Sequence, residues 1–195
     1  MKKTLLLLSL AAGSLGAHAQ SPRFGMKAGV SLTNFTPTNN DYKFGFHGGL
    51  LADFGISRIF SIHPELLYSM KGEKFASFDN ATQTMHYIDL PVLARIQTKG
   101  FFFEAGPQLG VLVAASFHGP ALTYFSMPSP SYITSDNKSQ FNSVDLGYVA
   151  GVGYQLASGP GLGVRYNGGL TKISDSGIGR NIAFQLYLSY LFGSK

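Results

Sequence analysis

From residue 24 to residue 192 large apolar side chains alternate with small or polar ones at a period of two, and the charge in each run stays on one of its two faces. A β-strand sends successive side chains to opposite sides, so each face must suit a different medium. In FSIHPELLYSMKGE (60–73), Phe60, Ile62, Leu66, Tyr68 and Met70 take the even positions, and His63, Glu65 and Lys71 the odd ones. The same reading predicts eight strands, over 24–33, 43–54, 59–70, 86–97, 101–114, 144–156, 161–171 and 181–192. Within them Lys27, Asp53, Glu65, Asp89, Arg95, Glu104, Asp145 and Arg165 all fall on the polar face. The apolar face therefore meets a medium that rejects charge.

A chain of 195 residues suits one domain, and its 24 glycines, 16 phenylalanines and 10 tyrosines fit an all-β protein. The start, MKKTLLLLSLAAGSLGAHAQ, has a basic head, an apolar run and small residues at Ala17 and Ala19. That layout predicts a cleaved signal peptide over 1–19 and a mature domain over 20–195. With no cysteine, disulfides, thiolate metal sites and a lipidated cysteine are excluded. Removing Lys2 and Lys3 takes the formal charge from +5 to +3, with no basic run, which argues against a nucleic-acid partner. No later stretch approaches the ~20 apolar residues of a membrane helix, so membrane entry requires a barrel.

The connections alternate as well. Those at 55–58, 98–100 and 157–160 are tight, and those at 34–42, 71–85, 115–143 and 172–180 are long. Short turns at one end and long loops at the other are the pattern of an eight-stranded antiparallel up-and-down transmembrane β-barrel. Eight strands leave a bore that side chains fill, so bulk belongs on the convex face and glycine on the concave one. Gly25, Gly29, Gly49, Gly106, Gly151 and Gly163 are on the polar face, which predicts that this face is the lumen. An aromatic girdle is expected on the apolar face at the short-turn end, from Phe24, Phe54, Phe60, Phe101, Phe103, Tyr154, Tyr190 and Phe192. Inside, Lys27, Arg95 and Arg165 are expected to neutralise Glu65, Asp89, Glu104 and Asp145 in a lumenal polar network.

The segments FGMKAGVSLTNF, PELLYSMKGE, YIDLPVLARI, FFFEAGPQLGVLV, GYVAGVGYQL and GLGVRYNGGLTKI, in this order, resemble the PorT-like family of outer-membrane β-barrel proteins of Bacteroidetes-type bacteria. The resemblance covers about Phe24 to Phe192. It implies an integral outer-membrane barrel with no catalytic residues to carry over, in a family one branch of which is tied to assembly of a protein-secretion system.

Chemistry-bearing residues have plainer readings. His47, His63 and Glu65 share the polar face, where a metal site and an interior hydrogen-bond network compete; the network is expected, with no metal and no cofactor. GVGYQL lacks the third glycine of a dinucleotide fingerprint, and no G-x-S-x-G is present. His86, where a predicted outer loop meets its strand, and His118, in a predicted outer loop, leave a lipid-modifying hydrolase as a rival, but no serine is singled out. The loop 115–143 carries Phe117, Tyr124, Phe125, Met127 and Tyr132 among prolines and serines and is the candidate surface for a protein partner. The other expected partners are outer-membrane lipid and lipopolysaccharide, whose phosphates Lys43, Lys74, Lys172 and Arg180 are placed to meet. Asp41, Glu73, Asp79 and Asp175 beside them favour a solvated rim instead. The expected function is a non-enzymatic membrane-anchored interaction protein. Its rivals are a narrow pore for ions or small solutes and a soluble ligand-binding barrel.

Overall fold

The computed structural model describes residues 21–76, 81–120, 132–174 and 179–193. The predicted signal peptide lies outside them. Among the described residues nine strands form one sheet: β1 (Arg23–Thr36), β2 (Asp41–Gly55), β3 (Phe60–Lys74), β4 (Thr82–Thr98), β5 (Phe101–Pro120), β6 (Tyr132–Asp136), β7 (Val144–Gln155), β8 (Pro160–Gly169) and β9 (Arg180–Leu191). Eight of them pair antiparallel with their chain neighbours, and β1 pairs with β9 from Gly25↔Leu191 to Thr36↔Arg180, which closes the sheet on itself. Closure leaves no barrel edge, so backbone donors and acceptors are satisfied between strands. The eight-stranded up-and-down expectation holds.

The tight ends follow from local chemistry. Lys99 and Gly100 between β4 and β5 both have positive φ, 49° and 91°, as a two-residue type I′ hairpin requires. Between β2 and β3, the Ile56 and Ser57 amides both donate to the Phe60 carbonyl, at 2.9 and 3.0 Å. At the opposite end the strands outrun the predicted boundaries. β3 and β4 continue in register to Lys74↔Thr82, and β5 extends to Pro120 to pair with β6 through Ser116↔Asp136 to Pro120↔Tyr132. Residues 115–143 are therefore in part a hairpin standing on the barrel, followed by a short 3₁₀ turn, Lys138–Gln140. Above the barrel wall no contrast between two media imposes a period of two, so this hairpin left no alternation in the sequence.

Polarity is inverted relative to a water-soluble domain. Leu188 is 65 % exposed and Phe44 63 %, whereas Lys27 is 2 % and Arg95 1 % exposed. Glycine makes room for the bulky side chains that share the bore. A Cβ on Gly163 would lie 2.5 Å from Tyr187 Cζ, and one on Gly153 would collide with the Phe102 ring and the Leu162 carbonyl. The inward face is not purely polar: Leu51, Leu67, Leu93, Phe102, Val149 and Leu191 are buried there beside the polar network.

Gly163→Val is expected to destabilise the folded barrel by ~1–3 kcal/mol, the usual cost of overpacking. Ala28→Val, on the outward face of β1, is expected to change stability by less than about 0.5 kcal/mol. Urea unfolding in lipid vesicles measures both.

Candidate functional site

The bore is organised in tiers set by strand register. Nearest the short turns, Asp53 on β2 is paired with Arg23, and its Oδ1 is 2.9 Å from His63 Nε2 on β3. In the middle, Glu65 is clamped by Lys27 and by Arg165, whose Nη1 lies 2.8 Å from Glu65 Oε2. Beside it Arg95 Nη2 donates to Glu104 Oε2 at 2.6 Å, and Tyr187 donates its hydroxyl hydrogen to Glu104 Oε1 at 2.7 Å. The Tyr187 ring also faces Lys27 Nζ, 4.0 Å from its centroid, and Arg95 stacks on Phe102 at 3.9 Å. Towards the outer end Lys71 Nζ is 3.0 Å from Asp89 and 4.0 Å from Asp145, and Asn181 and Thr171 donate to Asp145 at 2.8 and 3.0 Å.

Each inward carboxylate of these tiers thus has a cation nearby, but the partner choice is finer than the sequence reading. Lys71, read as facing the lumen or its rim, is the counter-ion of Asp89. Tyr187 and Tyr87 join the network without having been named in it, and His63 joins it as expected for the interior network. Their signal was available, since each occupies a polar-face position in its strand. The three residues considered for a metal are drawn apart: His47 bonds Ser31 at 3.0 Å, His63 faces Asp53, and Glu65 belongs to Lys27 and Arg165. Among the described residues no group of three His, Asp or Glu side chains is placed to hold a metal. His118 is on strand β5 rather than in a loop, which corrects its placement, and His86 is well inside β4 rather than at its edge; they bond Thr134 and Tyr68 at 3.0 and 2.5 Å.

Little space is left between the tiers. The cavity bounded by Lys71, Gln108, Asp145, Asn167 and Asn181 is about 10 Å³, room for about one water. Above it Phe35, Met85, Tyr87, Leu112, Ala115 and Ile173 pack as a buried apolar layer with Phe141 against them. This layer is the floor of an open vestibule of about 660 Å³ at the long-loop end. Phe75, Phe117 and Phe141 wall the vestibule, and Thr38, Asn40, Glu73, Gln83 and Asn137 supply its polar groups. Gln83 and Asn137 exchange amide hydrogen bonds of 3.1 and 2.8 Å. Burial raises the Glu73 carboxyl above the usual carboxylate range, against hydrogen bonds from Asn40 and Thr38.

On the outside, Phe24, Phe54, Phe60, Phe101, Phe103, Tyr154, Tyr190 and Phe192 stand near the short turns, and Phe101–Tyr154 and Tyr190–Phe192 have ring centroids 4.9 and 5.3 Å apart. Leu162 on β8 and Ile96 on β4, the register partners of Tyr154 and Phe103, are exposed at the same level. A second aromatic band, not foreseen, lies nearer the long loops. Tyr148–Tyr166, Tyr166–Phe184 and Tyr42–Phe184 are separated by 6.0, 5.2 and 6.2 Å, and Phe46–Tyr68 by 5.8 Å. The bands are six residues apart on β7 (Tyr148 to Tyr154) and eight on β3 (Phe60 to Tyr68), ~20–27 Å of chain. At a barrel tilt of ~40° this gives roughly 16–21 Å along the axis, within the ~25 Å apolar band of a membrane barrel.

Of the candidate partner-loop residues, Phe117 lies on β5 and packs edge-on against Phe75 at 5.7 Å. Tyr132 opens β6, with its side chain outside the described residues, as are Tyr124, Phe125 and Met127 altogether.

The family model described as "Outer membrane protein beta-barrel domain" matches residues 18–175. Solved structures similar to it include Neisserial surface protein A, at 15 % identity over 89 % of this chain and 99 % of that one, with a TM-score of 0.48. They also include Ail, the attachment invasion locus protein of Yersinia pestis, at 11 % identity over 88 % and 97 % with a TM-score of 0.48. The N-terminal barrel of Pseudomonas aeruginosa OprF has 11 % identity over 90 % and 100 %, with a TM-score of 0.42. No curated protein matches the sequence.

Glu65→Gln leaves two buried cations short of a counter-charge and is expected to cost about 3–5 kcal/mol. Replacing Arg95 and Glu104 together by Met and Leu is expected to cost less than Glu104→Leu alone, because no buried charge is then orphaned. Equilibrium unfolding of the single and double variants in vesicles checks both.

Proposed function

We propose, from the premise that this chain belongs to the outer membrane protein beta-barrel domain family and is an integral protein of the cell outer membrane, that it is a non-enzymatic anchor whose working end is the outward mouth. The observation that carries this reading is the filled bore. Paired charges occupy its middle, about 10 Å³ remains beside Lys71 and Asp145, and an apolar layer from Phe35 to Ile173 separates it from the vestibule. A conduit would need a continuous wetted path, which that layer interrupts.

The residues offered outward belong to 115–143, with the β5–β6 hairpin holding Phe117 and the exposed Ile133 above the membrane. They present a surface to a protein partner, and a partner from a secretion apparatus would place the chain in the secretion-linked, PorT-like branch of such barrels. Lys43, Lys74, Lys172 and Arg180 meet lipopolysaccharide phosphates at the rim, while the apolar outer face contacts lipid. A soluble ligand-binding barrel is disfavoured by that same face, which carries Leu188, Phe44 and Phe103 at more than three-fifths exposure.

The purified barrel in a planar bilayer is expected to give no stable conductance, while removing the floor by Phe35→Ala with Tyr87→Ala is expected to raise the frequency of openings. Stable unitary openings of the unaltered protein would instead establish the narrow pore. In-cell photocrosslinking from positions 117 and 133 is expected to capture a specific envelope protein. Capture of lipid alone would remove the protein-partner reading.

A further inference from the structure

The vestibule combines features that the anchor reading does not use. Its floor is closed by Phe35 and the apolar layer beneath it, so it is a blind pocket and not an entrance. About 660 Å³ is the size of a small-molecule site. Three half-buried aromatic rings, Phe75, Phe117 and Phe141, stand around it, two of them edge to face at 5.7 Å. Set into the same wall is Glu73, 3 % exposed. Its Oε2 accepts from Thr38 Oγ1 at 3.1 Å, and among the described residues no lysine, arginine or histidine forms an ion pair with it.

The contrast with the bore is informative. Asp53, Glu65, Asp89, Glu104 and Asp145 each have a cation within 4.0 Å, whereas Glu73 has neutral donors alone. A recessed carboxylate without a counter-ion is costly unless something positive approaches it. Aromatic faces around it favour the same sign of charge through their quadrupoles and also provide apolar contact for the body of a ligand. Among the described residues of this wall an anion would find no cation. A neutral polyhydroxy ligand would find amides, but Gln83 and Asn137 already satisfy each other, and it would leave the carboxylate uncompensated.

We infer that the vestibule is a binding site for a small organic cation, an ammonium or quaternary ammonium group on an apolar body, with Glu73 as counter-ion and Phe75, Phe117 and Phe141 as the aromatic wall. The site rests on the reading that the mouth and not the bore is the working end. Conductance tests that reading, and ligand binding to the folded barrel tests this one, so the two fail separately.

The experiment uses the whole mature chain folded in a polyoxyethylene detergent, which carries no cation to compete. Benzyltrimethylammonium is titrated by calorimetry and by saturation-transfer NMR, with benzyl alcohol as its uncharged comparator. The cation is expected to bind at least tenfold more tightly than the alcohol. Glu73→Gln is expected to weaken it roughly tenfold, the scale of one charge-assisted contact, and Phe117→Ala to weaken it several-fold. Asp41→Asn, which removes an exposed rim carboxylate, is expected to leave affinity unchanged and so exclude general surface attraction. Intact folding of each variant is checked by the migration shift of unheated barrel in gel electrophoresis. Equal affinity for the alcohol, unchanged affinity in Glu73→Gln, or absence of cation binding to a demonstrably folded barrel would each overturn the proposal.

Discussion

The clamp of Lys27 and Arg165 on Glu65 in the middle of the bore is the contact on which the remaining architecture depends. Three ionised side chains from β1, β3 and β8 meet there, across the barrel and far apart in sequence. They ionise together in a confined space because each offsets the desolvation of the others, and no single one of them would be tolerated alone. Once the charges are committed to the inside, the outward positions are free to be apolar, as at Leu188, Phe44 and Val152. The glycines at Gly153 and Gly163 follow from the same commitment: a bore that must hold Arg95, Arg165, Tyr187 and Phe102 has no volume left for further Cβ atoms.

The two ends of the molecule then take different physical roles. At the short-turn end the strands are joined with minimal chain, the Lys99–Gly100 hairpin being the tightest, and the outer surface carries aromatics. At the other end, strands β3, β4 and β5 rise past the upper aromatic band, and the bore changes from paired charge to an apolar layer before opening into the vestibule. That layer uncouples mouth from bore. Whatever reaches Glu73 and its aromatic neighbours does so from outside, and the polar interior is free to serve stability.

The sequence disclosed the wall far better than what is built on it. Alternation across Phe24–Leu32 and Ile182–Phe192 was legible because the two faces meet media of opposite polarity, which fixes a period of two and with it the register class. The pairing inside was legible only as a set of charges. That Asp89 takes Lys71 while Glu65 takes both Lys27 and Arg165 depends on the stagger of neighbouring strands around a closed sheet, which side-chain type alone does not encode. Phe102 and Leu93 sat at polar-face positions as exceptions, and they pack because a bore of this width needs apolar filling as well as charge. The β5–β6 hairpin and the Phe75–Phe117 contact left no periodic trace, since both sides of that structure face the same surroundings. Glu73 read as a rim charge that diluted a basic patch; its burial in an aromatic wall emerges only once β3 is seen to continue to Lys74.

The most direct test of the inversion uses the absence of cysteine. Single cysteines placed in turn at positions 185 to 190 of β9 are labelled with a nitroxide in the barrel reconstituted in lipid bilayers, and collision with oxygen is compared with collision with a water-soluble nickel chelate. The account requires oxygen accessibility to peak at 186, 188 and 190 and to fall at 185, 187 and 189. Peaks at the odd positions, or chelate accessibility at 188, would contradict it.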